Sequence, residues 1–126
     1  MAWRIEEYRT AVGETPVWAF IAELSSDARA EAIALIKLAQ TLGNKLREPQ
    51  SKAFGNGLFE LRRNQVRLFY IFEPGQVIRL LGGMEKKRDR IPAEVLVQMR
   101  GFQKDARETD EEDLEGVMTM ARRATS

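Results

Sequence analysis

The sequence predicts an α+β domain in which an antiparallel three-stranded meander packs against helices. Three observations predict this class. A chain of 126 residues is close to the usual size of one globular domain. Apolar residues recur with helical spacing between residues 16 and 42, and with the two-residue spacing of strands between residues 57 and 81. The expected order is β-α-α-β-β-β-α, followed by an extra C-terminal helix.

The composition limits the chemistry that this chain can carry out. It contains no histidine and no cysteine, which excludes thiol nucleophiles, an imidazole base and zinc sites built from those side chains. We expect neither a metal nor any other cofactor. No apolar run is long enough to cross a membrane, and the first residues do not resemble a secretory signal. A cytoplasmic protein without a membrane partner is therefore expected.

The net charge of +1 hides an uneven distribution of charged residues. Residues 45–104 carry thirteen Lys or Arg against six Asp or Glu, whereas residues 105–126 carry three against seven. A basic central segment favours an anionic partner such as a nucleic acid. The alternative is that these cations only solvate the surface.

The first elements in chain order are a strand and two helices. Residues 3–9 are rich in aromatic and branched side chains, which is typical of a strand. Thr15 and Pro16 suit the cap and first position of a helix. Residues 25–27 interrupt that helix and cap a second one, from Ala28 to Leu42. The apolar face of the first helix holds Val17, Phe20, Ile21 and Leu24.

The next part of the chain changes from helical to strand periodicity. Residues 45–56 are interpreted as a polar connection. Three strands are expected at residues 57–63, 66–72 and 77–81, because branched and aromatic side chains alternate there between short turns.

Two helices are expected after the meander. The first begins at Ile91-Pro92. The second begins at Thr109, where Thr109-Asp110-Glu111-Glu112 fits a capping box. We therefore divide the chain into a domain at 1–108 and a C-terminal helical extension at 109–126. The extension needs apolar cover, from the first helices or from a second copy in a homodimer, for Leu114, Val117, Met118 and Ala121.

A two-residue turn at Asn64-Gln65 would have a chemical consequence. It would pair Arg62 with Arg67, so that both arginines lie on one face of the sheet. Such a pair is unfavourable unless an anion lies between the two. Glu60 on the same face could neutralise one arginine, whereas a substrate phosphate could serve both.

Several motifs in this region match one family in the same order. The chain resembles the phage-derived HigB-like branch of the RelE/ParE toxin superfamily over residues 3–104. The motifs that carry the resemblance are Gly57-Leu58-Phe59-Glu60-Leu61-Arg62, Val66-Arg67-Leu68-Phe69-Tyr70, Val77-Ile78-Arg79-Leu80-Leu81-Gly82-Gly83-Met84-Glu85-Lys86-Lys87 and Ile91-Pro92-Ala93-Glu94.

The resemblance implies a toxin of a type II toxin-antitoxin pair. Such a protein is an endoribonuclease, or mRNA interferase, that cuts translated mRNA in the ribosome and so inhibits translation. Its partners would be the ribosome, mRNA and a cognate helix-turn-helix antitoxin. The reaction would be attack of a 2′-hydroxyl on phosphorus, assisted by clustered Arg and Lys.

The resemblance also implies which residues act. Arg67 matches the arginine of the superfamily's Arg-aliphatic-x-Tyr strand, and Lys87 matches a basic position that contributes to the site in relatives. With Arg62 and Glu60 they form the expected catalytic group. Where RelE proteins carry further lysines, this chain has Leu58 and Glu60. Either Glu60 accepts a proton, or the chemistry is mostly charge stabilisation of a substrate positioned by the ribosome.

RNA contacts are expected from three further residues. Lys52 resembles a lysine often found before the first meander strand, and Lys86 adds charge beside Lys87. Tyr70 matches the family strand tyrosine, but an alternating strand explains it equally as a core residue with its hydroxyl satisfied.

Two other functions are compatible with the same fold. One is a ParE-like toxin that binds DNA gyrase and has no nuclease activity. The other is an inactive remnant, which would be expected to lose its clustered positive charge. The basic residues near the end of the meander favour the nuclease.

Overall fold

The computed structural model of the protein describes residues 2–87 and 90–125. Within the last helix, the side chains of residues 111–114, 117, 124 and 125 are outside the description. The predicted apolar stripe therefore lies partly outside the described residues, because it includes Leu114 and Val117.

The described part of the chain folds into one mixed sheet with helices on both faces. The elements are β1 (Arg4–Glu7), α1 (Pro16–Ala22), α2 (Ser26–Leu42), a 3-10 turn (Gly43–Lys45), β2 (Ser51–Gly55), β3 (Leu58–Arg63), β4 (Val66–Glu73), β5 (Val77–Glu85) and α3 (Ala93–Thr125). The predicted α+β class is confirmed. So are the first strand, the first two helices and the three-stranded meander.

The sheet has the strand order β1-β5-β4-β3-β2. The four strands from β2 to β5 are antiparallel neighbours, while β1 lies parallel to β5 at one edge. Because side chains alternate along a strand, Leu68 and Tyr70 of β4 face α1 and α2, whereas Phe69 and Ile71 face α3. The sheet therefore separates two apolar cores.

The strand β2 was not predicted, because residues 45–56 were interpreted as a connection. Only Ser51 of this five-residue strand is buried, and the sequence Ser-Lys-Ala-Phe-Gly has no clear apolar alternation. The strand forms at the sheet edge by pairing with β3, with Ser51 opposite Leu61 and Ala53 opposite Phe59. Tertiary pairing rather than local preference fixes it.

The two helices expected after the meander are one continuous helix of 33 residues, α3. The predicted capping box at Thr109 is wrong, because the Thr109 hydroxyl donates to the Asp105 carbonyl oxygen one turn earlier, at 3.0 Å. Acidic residues followed by basic residues suit the start and the end of a helix, but the same order also occurs within a long exposed helix. The backbone has no break at the proposed boundary between residues 108 and 109.

Three polar side chains fasten α3 to the turn between β2 and β3. Arg100 donates to the carbonyl oxygens of Phe54 and Gly55, both at 2.8 Å. Gln103 and Arg107 donate to the carbonyl oxygen of Asn56 at 2.7 and 2.8 Å. These bonds give hydrogen-bond partners to carbonyl oxygens at the end of β2 and in the turn, and they hold the hairpin of β2 and β3 against the helix. None of the helices in the described ranges is long and apolar enough to cross a membrane.

Candidate active site

The hairpin of β3 and β4 has the two-residue turn that the sequence suggested. Arg62 lies opposite Arg67 and Arg63 lies opposite Val66. Asn64 has a positive φ of 51°, which asparagine tolerates better than most residues. The two arginines therefore project from the same face of the sheet, as predicted.

Glu60 lies between these arginines and is 1% exposed. Its Oε1 atom is 3.1 Å from Arg62 Nε and 3.8 Å from Arg67 Nε. Lys52 of β2 is the cross-strand partner of Glu60, and the charge of Lys86 also acts on its carboxylate. These five residues, Lys52, Glu60, Arg62, Arg67 and Lys86, are called the ionic cluster below. It sets four cations against one carboxylate.

Arg67 is held more rigidly than a surface arginine because it is only 7% exposed. Its Nη1 atom donates to the carbonyl oxygens of Asn64 at 2.7 Å and Val66 at 2.9 Å. Among the described residues, two buried polar atoms of the cluster lack a hydrogen-bond partner: Glu60 Oε2 and Arg67 Nε. Buried polar atoms are rarely left unpaired, so each such atom needs an explanation, and a catalytic role is one.

The environment of the cluster shifts the pKa of both buried groups. Burial raises the pKa of the Glu60 carboxyl, against the opposing attraction of Arg62, Arg67, Lys52 and Lys86. Burial also lowers the pKa of the Arg67 guanidinium, and Arg62 lowers it further while Glu60 opposes the change. A carboxylate with a raised pKa is a better proton acceptor than an exposed glutamate.

The structure brings Lys86 to the cluster and leaves Lys87 outside it. Lys86 is half-buried, and its backbone N–H donates to the Gln65 carbonyl oxygen at 2.6 Å, beside the β3–β4 turn. Lys87 is exposed, and the charges that act on the Glu60 carboxylate are those of Arg62, Arg67, Lys52 and Lys86. The residue next to the expected Lys87 therefore carries the charge that acts on the site.

Tyr70 lies on the opposite face of the sheet and is 1% exposed. Its ring stacks on Phe59 with centroids 5.5 Å apart, and its hydroxyl pairs with Ser51 Oγ at 2.8 Å. Burial raises the pKa of Tyr70, and the hydrogen bond with Ser51 partly offsets the change. This placement corrects the expected RNA contact, since the side chain lies in the core between the sheet and the helices α1 and α2, on the other face from the ionic cluster. Tyr70 is instead a core tyrosine whose hydroxyl has a hydrogen-bond partner, which was the alternative interpretation.

Lys52 is exposed at the edge of the cluster, with its Nζ atom 5.5 Å from the centre of the Phe54 ring. The sequence could not show that it lies opposite Glu60, because β2 itself was not predicted. The residues of α3 that hold this hairpin were also missed. Their spacing, 100, 103 and 107, places three polar side chains on one helical face, and that pattern was the available signal.

A metal ion has no evident place in this site. Within the described ranges, no group of three or more acidic residues is arranged to hold one. The single carboxylate of the cluster is already surrounded by cations, which would repel a further positive charge. The arrangement instead suits an anion that can accept hydrogen bonds from two guanidinium groups.

Fold and site together define an α+β protein with a cluster of four cations around one carboxylate on one face of its sheet. The chain belongs to the phage-derived Gp49-like protein family, whose model matches residues 19–98. The phage-derived part of the predicted resemblance is thereby confirmed, whereas the HigB branch stays a prediction. No curated protein matches the sequence.

The solved structures similar to this chain include one complex from Mycobacterium tuberculosis and two structures from E. coli. The RelBE2 toxin-antitoxin complex from Mycobacterium tuberculosis is 17% identical, covers 68% of this chain and 100% of its own, and has a TM-score of 0.48. The intact E. coli RelBE complex is 14% identical, with 69% and 100% covered and a TM-score of 0.49. The isolated E. coli RelE toxin is also 14% identical, with 78% and 99% covered and a TM-score of 0.49.

Proposed function

We propose that this protein is the toxin of a type II toxin-antitoxin pair and that it cleaves mRNA on the ribosome. The observation that carries the proposal is the buried Glu60 carboxylate between Arg62 and Arg67. It combines a proton acceptor with two guanidinium groups on one face of the sheet. This is the set of groups that RNA cleavage by its own 2′-hydroxyl requires.

The proposed reaction begins when the bound phosphate draws Arg62 away from Glu60, which is only 1% exposed, and the uncovered carboxylate accepts the proton of the 2′-hydroxyl. The 2′-oxygen attacks the adjacent phosphorus, and the bond from phosphorus to the 5′-oxygen breaks. The products are a 2′,3′-cyclic phosphate and a 5′-hydroxyl. The leaving oxygen takes a proton from a nearby ammonium group, for which Lys52 and Lys86 are the candidates. The raised pKa of Glu60 supports its part as the base.

Arg62 and Arg67 supply the electrostatic part of the proposed mechanism. Guanidinium groups bind two phosphate oxygens at once, and the charge on these oxygens grows as phosphorus becomes five-coordinate. Arg67 is held by two carbonyl oxygens, so little reorganisation is needed when this charge develops. The burial of Arg67 strengthens the interaction, because water screens it less.

The ribosome and an antitoxin complete the proposal. Ribosomal positioning of the codon would supply the alignment that a small cationic site lacks on its own. An exposed cationic site must also be blocked by a partner protein if the toxin is to be kept inactive. We expect a helix-turn-helix antitoxin that approaches the cluster with acidic side chains.

Brief induction of the protein, followed by mapping of mRNA 5′ ends, tests the proposal. We expect new ends inside translated reading frames, dependent on ribosomes and absent with Glu60→Gln. Intact messages together with gyrase-dependent DNA breaks would instead support the ParE-like function. Efficient cutting of naked RNA would contradict the dependence on the ribosome.

A further inference from the structure

A cleft of about 800 Å³ opens between α2 and the β3–β4 hairpin, next to the ionic cluster. Arg62 and Arg67 of the cluster also line this cleft. We propose that the cleft receives the base of the nucleotide adjoining the cleaved phosphate, and that it selects which base is accepted. This inference rests on the proposed function and adds a specificity site to it.

The walls of the cleft suit a flat, partly apolar group. Ala34 and Leu38 lie one turn apart on α2 and line one side, and Pro49 contributes a further apolar contact. Sites for small organic groups have volumes of about 300–1,000 Å³ and mostly apolar walls with a few polar groups. The cleft meets both conditions, and a flat nucleobase is a group of the kind that such a site holds.

Polar groups at the mouth can read the edge of a base. Thr41 donates its hydroxyl hydrogen to the Lys37 carbonyl oxygen at 3.1 Å, which leaves the hydroxyl oxygen as an acceptor. Gln50 offers an exposed amide that can donate and accept. Its backbone carbonyl accepts from the Arg62 N–H at 2.8 Å, so the residue is fixed beside the phosphate-binding arginine.

The charge of the cleft matches a nucleotide. Four of its lining residues are cations, Lys37, Arg62, Arg63 and Arg67, and no carboxylate is among the described residues that line it. Two of these cations are the arginines that would hold the cleaved phosphate. A nucleotide whose phosphate contacts Arg62 and Arg67 would therefore have its attached base at the cleft. The shared arginines favour a nucleotide over a segment of the antitoxin.

Crosslinking on the ribosome tests the occupant directly. The probe is a message whose A-site codon carries 4-thiouridine and 2′-O-methyl riboses, so that it binds but is not cut. After irradiation with the full-length protein, we expect crosslinks within residues 34–42 or at 49–50. Crosslinks confined to other segments, or no crosslinks, would overturn the inference. The readout needs no cleavage, so it is independent of whether the wild type cuts mRNA.

Two variants test selection of the base. Gln50→Ala should change the base distribution at cut sites, since a lost hydrogen bond to the base mainly alters discrimination. Ala34→Phe fills the cleft and should lower cleavage about tenfold or more, whereas Ile33→Phe adds the same ring to the neighbouring, more exposed position and should not. The inference would be refuted if both Gln50→Ala and Ala34→Phe kept the wild-type base distribution and cleavage rate but were no longer neutralised by the antitoxin. The cleft would then be assigned to the antitoxin.

Discussion

Glu60 and Arg67 are both buried on neighbouring strands, with 3.8 Å between Glu60 Oε1 and Arg67 Nε. Each nevertheless keeps one polar atom without a hydrogen-bond partner among the described residues. A buried ion pair built only for stability would satisfy these atoms, because an unpaired buried polar atom costs about 1–3 kcal/mol. An unpaired N–H donor beside an unpaired carboxylate acceptor suits a ligand that carries both an anionic group and a hydroxyl group.

Arg67→Ala should lower cleavage about 10²- to 10³-fold, since one lost donor to a charged transition state typically costs about 3 kcal/mol. Single-turnover cleavage on programmed ribosomes measures this effect. Arg79→Ala is the matched control, because Arg79 is also partly buried on the sheet but is paired with Glu73 at 2.7 Å, away from the cluster. The control should lose stability and keep its rate per folded molecule. Equal loss in both variants would show that Arg67 acts only through the fold.

Glu60→Gln should abolish the rise of the cleavage rate with increasing pH. The wild-type rate should rise with pH as the carboxyl, whose pKa burial raises, loses its proton and becomes a base. Cleavage by the variant should be much slower and flat over the same range. Glu85→Gln changes an exposed glutamate at the end of β5 and should keep the wild-type profile. A wild-type profile in Glu60→Gln would exclude Glu60 as the base.

The same group makes folding stability depend on pH. Because the pKa of Glu60 is raised in the folded state, the folded protein binds this proton more tightly than the unfolded chain. The stabilisation is complete below the pKa of an unfolded glutamate, about 4.3, and is lost as pH rises through the folded value. The unfolding free energy of wild type minus that of Glu60→Gln should therefore fall with rising pH. Urea titrations of both proteins from about pH 4 upward measure it; a difference that grows with pH contradicts the assignment.

Lys86→Ala should reduce cleavage more than Lys87→Ala. Lys86 is half-buried and its charge acts on Glu60, whereas Lys87 is exposed outside the cluster. Exposed charges contribute little through water, so we expect a loss of about tenfold or more only for Lys86→Ala. Cleavage rates of the two purified variants under one ionic strength decide between them. A larger loss for Lys87→Ala would restore the position that the family resemblance implied.

Gln103→Leu should destabilise the protein by about 1–2 kcal/mol, because it removes a buried donor to the Asn56 carbonyl oxygen. Gln98→Leu, an exposed position on the same helix, is the control and should be near neutral. Urea unfolding measures both. The cleavage rate of Gln103→Leu should also fall somewhat, since the hairpin that carries Lys52 and Glu60 is held less firmly. Equal stability of the two variants would show that this bond is not needed to hold the hairpin.

Deletion of residues 109–126 should leave ribosome-dependent cleavage detectable. The described side chains from Glu115 to Arg123 are exposed, so removing them uncovers little of the core. The helix before the cut keeps Gln103 and Arg107 on the hairpin, and keeps Asp105, which accepts a hydrogen bond from the Tyr8 hydroxyl. Sedimentation of the full and shortened chains would test the homodimer proposed for this segment. A folded, ribosome-bound fragment without cleavage would place the segment in the active site.

Sequence reasoning predicted the elements whose signals are local. The helical faces, the meander and the two-residue turn at Asn64-Gln65 follow from spacing, and with the turn came the pairing of Arg62 and Arg67. The burial of Glu60 did not follow, because it depends on how β2, β3 and β4 assemble. The strand β2 could not be predicted from its residues, since only pairing with β3 makes it a strand.

The choice between Lys86 and Lys87 shows the same limit. Both follow β5, and the sequence gives no means of knowing which one turns toward the cluster. That depends on where the strand ends and on the bond from the Lys86 N–H to the Gln65 carbonyl oxygen. The long α3 was divided because Thr109 and its acids fit a helix start, although the same residues are compatible with a helix interior.

The position of β1 affects how the chain folds during its own synthesis. In the described sheet β1 has a single neighbour, β5, which is about seventy residues later in the chain. The first strand therefore waits unpaired until Val77–Glu85 has emerged from the ribosome, and the hairpin of β2 and β3 waits for α3, which follows all five strands in the chain. The ionic cluster takes Lys52 from β2 and Lys86 from just after β5, so a newly made chain completes it only after the whole sheet has been synthesised.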